Sequence, residues 1–208
     1  MRISFFGRGL LLAAAIAAAF AVKAESNFQT GTTALTSTAH VDFQITIPKF
    51  LFLRVGTGTG SAAGGYATLA TVDEITWAPT AAQLSTGALA GVGGDLTGGV
   101  ETAVVVANNG NVTLSSTTTG PLSDAAGDTI SYTKITTTAS HNTTATTLAA
   151  PALADGATTT TTLTAVGKVV QQDAKWAYSY ANNTTPPAGT YGGVGVNAGR
   201  VTYTASLP

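Results

Sequence analysis

No cysteine occurs among the 208 residues, which excludes disulfides, zinc–thiolate centres, iron–sulfur clusters and thiol nucleophiles together. Charge is nearly as scarce. Asp, Glu, Lys and Arg make up 9% of the chain, 9 basic against 10 acidic, for a net charge of −1, where an ordinary soluble protein carries about a quarter. Nothing here builds the positive field that nucleic acid or an anionic membrane attracts. Past residue 24 the sequence also lacks any amphipathic helical period of useful length. It has no later apolar stretch long enough to span a bilayer.

Hydrophobic residues make up 44%, so a sizeable core is within reach, and a domain of this length does not need disulfides to be stable. The coat is Thr, Ser, Gly, Asn and Ala. A surface so poor in charge suits packing against copies of itself, since charge is what normally opposes association. It equally suits an exported protein with a neutral polar coat.

The first 24 residues read as an export signal. Arg2 and Arg8 give a basic start, Leu10 to Val22 is an apolar run rich in Leu and Ala, and Val22-Lys23-Ala24 ends it at a small residue. This is the order of a cleavable secretory peptide. The run is short of the roughly 20 apolar residues a membrane helix needs. The expected organisation is a signal over 1–24 and a single domain over 25–208, opening with a polar extension, 25–37.

The remaining pattern is that of strands. Ala39, Val41, Phe43, Ile45 and Ile47 alternate with His40, Asp42, Gln44 and Thr46, the period of a half-buried strand. Pro48 and Lys49 interrupt it, and Phe50 to Val55 resumes with apolar residues on both faces. Val72 to Trp77 is a short strand, and Thr80 to Leu84 has slight helical potential. Val100 to Ala107 and Val112 to Ser116 flank Asn108-Asn109-Gly110-Asn111, a turn signal that predicts a hairpin. Thr129 to Thr138 alternates through Ile130, Tyr132 and Lys134. Thr158 to Thr162 is a threonine tract of high strand propensity. In Val169 to Tyr180, Trp176, Tyr178 and Tyr180 share one face. Arg200 to Leu207 closes the chain with Val201, Tyr203, Ala205 and Leu207 on one side. Many short strands with Gly, Asn and Pro turns predict an all-β fold, with an antiparallel β-sandwich favoured over a barrel. Val41, Phe43, Ile45, Leu51, Leu53, Trp176, Tyr178, Val201 and Tyr203 are its expected core.

Three segments near the end, Trp176-Ala177-Tyr178-Ser179-Tyr180, Pro187-Ala188-Gly189-Thr190-Tyr191 and Gly199 to Ala205, resemble the close of exported immunoglobulin-like surface proteins of the bacterial pilin and spore-coat-U type. The resemblance covers about a quarter of the expected mature chain. It implies an immunoglobulin-like sandwich, with Tyr191 as the tyrosine of a corner that ties a loop to backbone. It also implies a subunit of a pilus, fibre or coat, handled by a periplasmic chaperone or export machinery, that joins neighbours by strand addition. The Ala39–Ile47 stretch has the alternation of an added strand but is assigned to the domain's own core. The polar extension Glu25–Ser37, with the free tail Phe28-Gln29-Thr30-Gly31-Thr32, is the expected route of that addition. Pilins of this type often carry a disulfide, which this chain lacks.

A catalytic constellation is missing. His40 lies on the polar side of a strand and His141 in a Thr-rich loop, neither with a partner at a known spacing. Asp73-Glu74 reads as a surface pair. Asp124 and Asp128, with Asp95, match no standard calcium loop. Gly56 to Gly60 precedes no helix and so does not read as a phosphate loop. Asn111, Asn142 and Asn183 head Asn-X-Thr triplets, which arise readily in a Thr-rich chain. Trp77, Trp176, Tyr178 and Tyr180 read as core or, in a carbohydrate-binding module, as a stacking platform. No catalytic, cofactor-binding or metal residue is assigned. The expectation is a non-enzymatic surface protein, extracellular or periplasmic, that forms a homo-oligomer or filament. The alternative is an exported carbohydrate-binding or adhesion module, and a weaker third reading is a hydrolase with a sparse carboxylate site.

Overall fold

The computed structural model describes residues 25–57, 66 and 68–208; the expected signal lies outside them. The chain divides into two units, Met1–Ile47 and Pro48–Pro208. In the first, residues 25–47 carry no helix or strand. The chain bends at Thr32 and Thr33, so that Ser37 Oγ donates to the Asn27 carbonyl and His40 Nδ1 lies 2.8 Å from Glu25 Oε2. The alternating stretch expected to be core is exposed: Val41 75%, Phe43 90%, Ile45 86% and Ile47 75%. That assignment is corrected. The period is present in the sequence, but no ladder and no buried surface receive it.

Among its described residues the second unit is all-β with antiparallel sheets, and helix is limited to single 3₁₀ turns at Ala81–Gln83 and Tyr132–Lys134. No helix among the described residues is long and apolar enough to cross a membrane. The larger sheet is built on β1 (Leu51–Val55), β5 (Val100–Ala107), β9 (Ile135–Ser140) and β11 (Val170–Tyr180). β5 lies between β1 and β11, β9 takes the other side of β11, and the short β3 (Leu89–Ala90) extends the β5 side. The smaller sheet places β6 (Val112–Thr117) between β10 (Thr158–Leu163) and β12 (Thr202–Ser206). Two-residue pairs complete the set, β2 (Ile75–Thr76) with β4 (Val92–Gly93) and β7 (Leu122–Ser123) with β8 (Thr129–Ile130).

One apolar cluster takes residues from both sheets: Ala103, Val105 and Ala107 of β5, Trp176 and Tyr178 of β11, Val112 and Leu114 of β6, and Leu163 of β10. Trp176 is fully buried, with its Nε1 donating to the Leu148 carbonyl at 2.8 Å. Leu53, Val201, Tyr203, Ala205 and Leu207 are partly buried against the cluster, as the alternation of the last strand requires. Leu51, expected inside, is 37% exposed because it stands at an outer edge.

Two local expectations change. The Asn108–Asn111 turn is present, with Gly110 at φ +119°, yet β5 and β6 do not pair with each other. β5 pairs with β1 and β11, while β6 pairs with β10 and β12. The turn therefore carries the chain from one sheet to the other, so that the apolar sides of both strands meet in the core. The alternating Thr129–Thr138 stretch is broken at Tyr132 by a 3₁₀ turn. Ser131 Oγ accepts from Thr133 N–H at 3.1 Å, Asp155 Oδ1 accepts from Tyr132 N–H at 2.6 Å, and Tyr132 Oη donates to the Ala198 carbonyl at 2.6 Å. Local side-chain acceptors have outcompeted the ladder there.

The outer face of the smaller sheet is an array of hydroxyls. Thr158, Thr117 and Thr202 stand in one row across the three strands, Thr160, Ser115 and Thr204 in the next, and Thr162, Thr113 and Ser206 in the third. The rows repeat at about 4.8 Å between strands and about 6.8 Å along them. Within it, the Thr117 and Thr158 hydroxyls are 2.8 Å apart.

Candidate functional site

Among the described residues β1 is an edge strand of the larger sheet. In an antiparallel pair, alternate residues turn their N–H and C=O toward the partner. Gly56 N–H donates to Thr102 C=O at 2.8 Å, and Phe50 N–H to Asn108 Oδ1 at 2.9 Å. Phe50, Phe52, Arg54 and Gly56 therefore face β5, and the peptide groups of Leu51, Leu53 and Val55 face outward. Among the described residues β1 pairs with β5 alone. A cleft of about 330 Å³ runs beside it, lined by residues 51–57 and by Tyr66, Thr68, Leu69 and Thr71. Because residues of both strand faces line it, the cleft lies against the edge of β1. Its far wall, Tyr66, Thr68, Leu69 and Thr71, has no regular secondary structure and is mixed in character, with Tyr66 and Leu69 55% and 53% exposed. The Tyr66 ring packs on Phe50 and Phe52 at centroid distances of 5.5 and 5.1 Å.

β1 also borders β12 across the core, and on this flank the inward residues of both edges are only partly covered. The N-terminal end of β1 is clamped. Asn108 Nδ2 donates to the Pro48 carbonyl at 2.7 Å, while its Oδ1 takes the Phe50 amide. Lys49 Nζ donates to the carbonyl of Pro208.

The other end of β1 meets three carboxylates. Asp73 accepts the amide of Thr57, Glu101 Oε2 accepts Asp95 N–H at 3.3 Å, and Asp95 Oδ1 accepts Thr102 N–H at 2.8 Å. A Cβ on Gly56 would fall 2.5 Å from Asp73 Oδ2 and 2.6 Å from Glu101 Oε2, and Gly56 has φ +75°. No side chain fits there. Burial, and next the charge of Asp73, push the Glu101 carboxyl up to about 8, so it is protonated at neutral pH. Asp73 is thus no surface pair with Glu74. Neither Asp73 nor Glu101 lines the cleft, so this acid pair has no access to substrate there.

A second buried carboxylate was not singled out by the sequence. Asp173 is fully buried on β11. It accepts the Thr143 and Thr144 amides at 3.0 and 2.8 Å, both Thr hydroxyls, and Asn142 Nδ2 at 3.1 Å. Burial alone would raise its pKa; the hydrogen bonds from Thr143 and Thr144 overcome that and hold it at about 2. With every oxygen occupied, Asp173 is a fastener for the 142–144 loop and not a reactive group.

The remaining candidates separate. His40 pairs with Glu25, and His141 is exposed in its loop. Asp124 Oδ1 accepts the amides of Ala126 and Asp128 at 2.9 and 2.8 Å, closing a turn, while Asp95 bonds to Thr102. No group of three or more His, Cys, Asp or Glu among the described residues could hold a metal ion. Asn111 and Asn183 accept from Ala165 N–H and Lys134 Nζ, each at 2.9 Å. Trp176, Tyr178 and Tyr180 are buried, and Trp77 Nε1 donates to the Leu89 carbonyl at 3.1 Å. The four aromatics form no exposed platform. Tyr191 Oη donates to the Pro187 carbonyl at 2.8 Å, the loop tie expected of it. No protein-family model, curated protein or solved structure matches the chain.

Proposed function

We propose that this is an exported, non-enzymatic structural protein of the cell surface, an immunoglobulin-like sandwich whose chains associate with one another by strand addition at a sheet edge. One observation carries the reading. A regularly alternating apolar series, Val41, Phe43, Ile45 and Ile47, is 75–90% exposed in a chain with almost no charge to keep copies apart. Such a series is a strand awaiting a sheet, and an unpaired edge is what receives one. The basic start, apolar run and small-residue end of residues 1–24 support export. The carbohydrate-binding alternative has lost its stacking platform to the core and would have to rest on Tyr66 and Phe50.

The test is light scattering of the purified chain beginning at Glu25, over a concentration series, with negative-stain microscopy of washed cells carrying or lacking it. Assemblies that grow with concentration, and a matching structure on the cells, are expected. A protein monomeric at every concentration overturns the reading. N-terminal sequencing should find Glu25 first; a protein from the envelope that still begins at Met1 overturns cleavage after Ala24.

A further inference from the structure

The geometry points to Ala39–Ile47 of one chain as the strand that pairs along the outer edge of β1 in a second copy, its apolar side completing the flank between β1 and β12. This rests on the self-association proposed above and identifies its two parts. Both are already in the chain and each lacks what the other has.

The incoming segment supplies four large apolar residues at period two, with Asp42, Gln44 and Thr46 between them. In a strand these separate cleanly to opposite faces. The receiving edge supplies the outward peptide groups of Leu51, Leu53 and Val55, beside the cleft bounded by Tyr66 and Leu69. Leu53 and Val55 pack on the core cluster, so a neighbour on that edge must also turn an apolar side inward. Val41, Phe43, Ile45 and Ile47 meet that condition, and the tail at 25–37 does not. Strand addition therefore runs through residues 39–47 and not through the more polar residues before them.

The occupant is a second copy because the short route within one chain is closed. Folding Ile47 back onto its own β1 needs a tight hairpin across Pro48-Lys49. The turns that fit a two-residue hairpin need φ above zero at the first central residue, and Pro is locked near −65°. The Phe50 amide, which would close that hairpin on the Ile47 carbonyl, is already donated to Asn108 Oδ1. A segment that presents one surface and receives on another gives a heterologous contact, which repeats from chain to chain.

The absence of cysteine provides the test. On the edge of β1 away from β5, Phe52 and Arg54 would be non-hydrogen-bonded positions, where facing Cα atoms come to about 4.5 Å, within the span of a disulfide. Gln44, central in the incoming strand and on its polar side, should lie opposite one of them. Chains beginning at Glu25 and carrying Gln44→Cys are mixed with chains carrying Phe52→Cys or Arg54→Cys and oxidised. A disulfide-linked heterodimer is expected with at least one of the two. Phe43→Asp with Ile45→Asp should abolish the link and weaken association by about 100-fold or more, at about tenfold or more for each apolar side chain lost from burial. Circular dichroism of that double variant should be unchanged, since both residues are exposed in the free chain. A wild type that assembles while neither mixture cross-links overturns this pairing and leaves self-association standing. So does assembly unaffected by the double substitution, or a link that forms only within single chains carrying both cysteines at high dilution. A wild type that never assembles overturns both.

Discussion

The two sheets of the Pro48–Pro208 unit treat their outer faces differently. On the larger sheet both faces are covered at β5 and around Asp173, while Thr136, Thr138 and Ser140 of β9 and Lys175 of β11 stay exposed. Ala103, Val105 and Ala107 face the shared core, and on the other side of the same strand Thr102, Val104 and Val106 are 1%, 1% and 4% exposed. The loop carrying Asn142–Thr144 is fastened over Asp173 there, and Tyr66 packs on Phe50 and Phe52. On the smaller sheet only the inward side is covered, by Val112, Leu114 and Leu163, and the outward side is the hydroxyl array. β5 accordingly carries apolar residues on both sides, Ala103 and Val105 on one and Val104 and Val106 on the other, whereas β12 alternates Thr202 and Thr204 with Tyr203 and Ala205. The difference shows where loops of low sequence complexity have structural work. A Thr-rich stretch can pave an open face, as 158–162 does, or supply donors to a buried charge, as 142–144 does.

Changes at each level should separate the two sheets by size of effect. The largest is expected at Trp176, which belongs to the core both share. Trp176→Ala should cost about 3–5 kcal/mol in urea unfolding, with loss of both sheets in one transition. If the smaller sheet melted separately, the common core would be the wrong description. Next comes the covered face. Asp173→Asn keeps the shape but loses the charge that five donors address, and should cost about 2–3 kcal/mol at neutral pH. The folded pKa of Asp173, about 2, is below its ordinary 3.8. The wild-type advantage is therefore complete above that ordinary value and is lost as pH falls through about 2, where the two proteins should converge.

Glu101 works with the opposite sign. Its folded pKa of about 8 stands above the ordinary 4.5. Between those values the folded chain holds a proton that the unfolded chain has released, so wild-type stability falls as pH rises through that window. Glu101→Gln removes the dependence. Melting temperatures of the two should agree near pH 4 and diverge in favour of Gln as pH approaches about 8, after which the difference should level off. A parallel pair of curves would mean that Glu101 is not protonated in the fold. The smallest effect is expected on the open face, where Thr160→Val should change stability by no more than about 0.5 kcal/mol. A larger loss would show that the hydroxyl array is not merely paving.

How much of this was legible follows from the range of each interaction. The last strand could be read outright, because Val201, Tyr203, Ala205 and Leu207 alternate within a single element and the alternation states which side goes in. The same rule applied to Ala39–Ile47 placed its apolar side in the domain's own core, where the structure leaves it exposed, because alternation is local and does not supply a sheet to pair with. The turn at Asn108–Asn111 was visible, yet its residues fit a corner between sheets as well as a hairpin; β5 being apolar on both faces was the available hint that it needed two strand neighbours of its own. Asp173 could not be found from spacing, since its donors are 29–31 residues away in an unremarkable Thr tract. The one local sign was a carboxylate inside a strand otherwise bound for the core. Gly56 beside Glu101 and Asp73 was hidden for the same reason, being assembled from three distant places in the chain.

The clamp at Asn108 has a mechanical consequence. Its side chain holds the Pro48 carbonyl and the Phe50 amide together, and Asn108 itself directly follows β5. Tension applied to the chain ahead of Pro48 must break both of these bonds before it lifts the first rung of β1 away. It reaches Asn108 first and is passed into the strand at the middle of the larger sheet, along that strand's length. The ladder between β1 and β5 is then loaded in shear, with its rungs strained together, and not unzipped one rung after another. One amide side chain thus adds two bonds that a peeling force at the entry to this unit must break first.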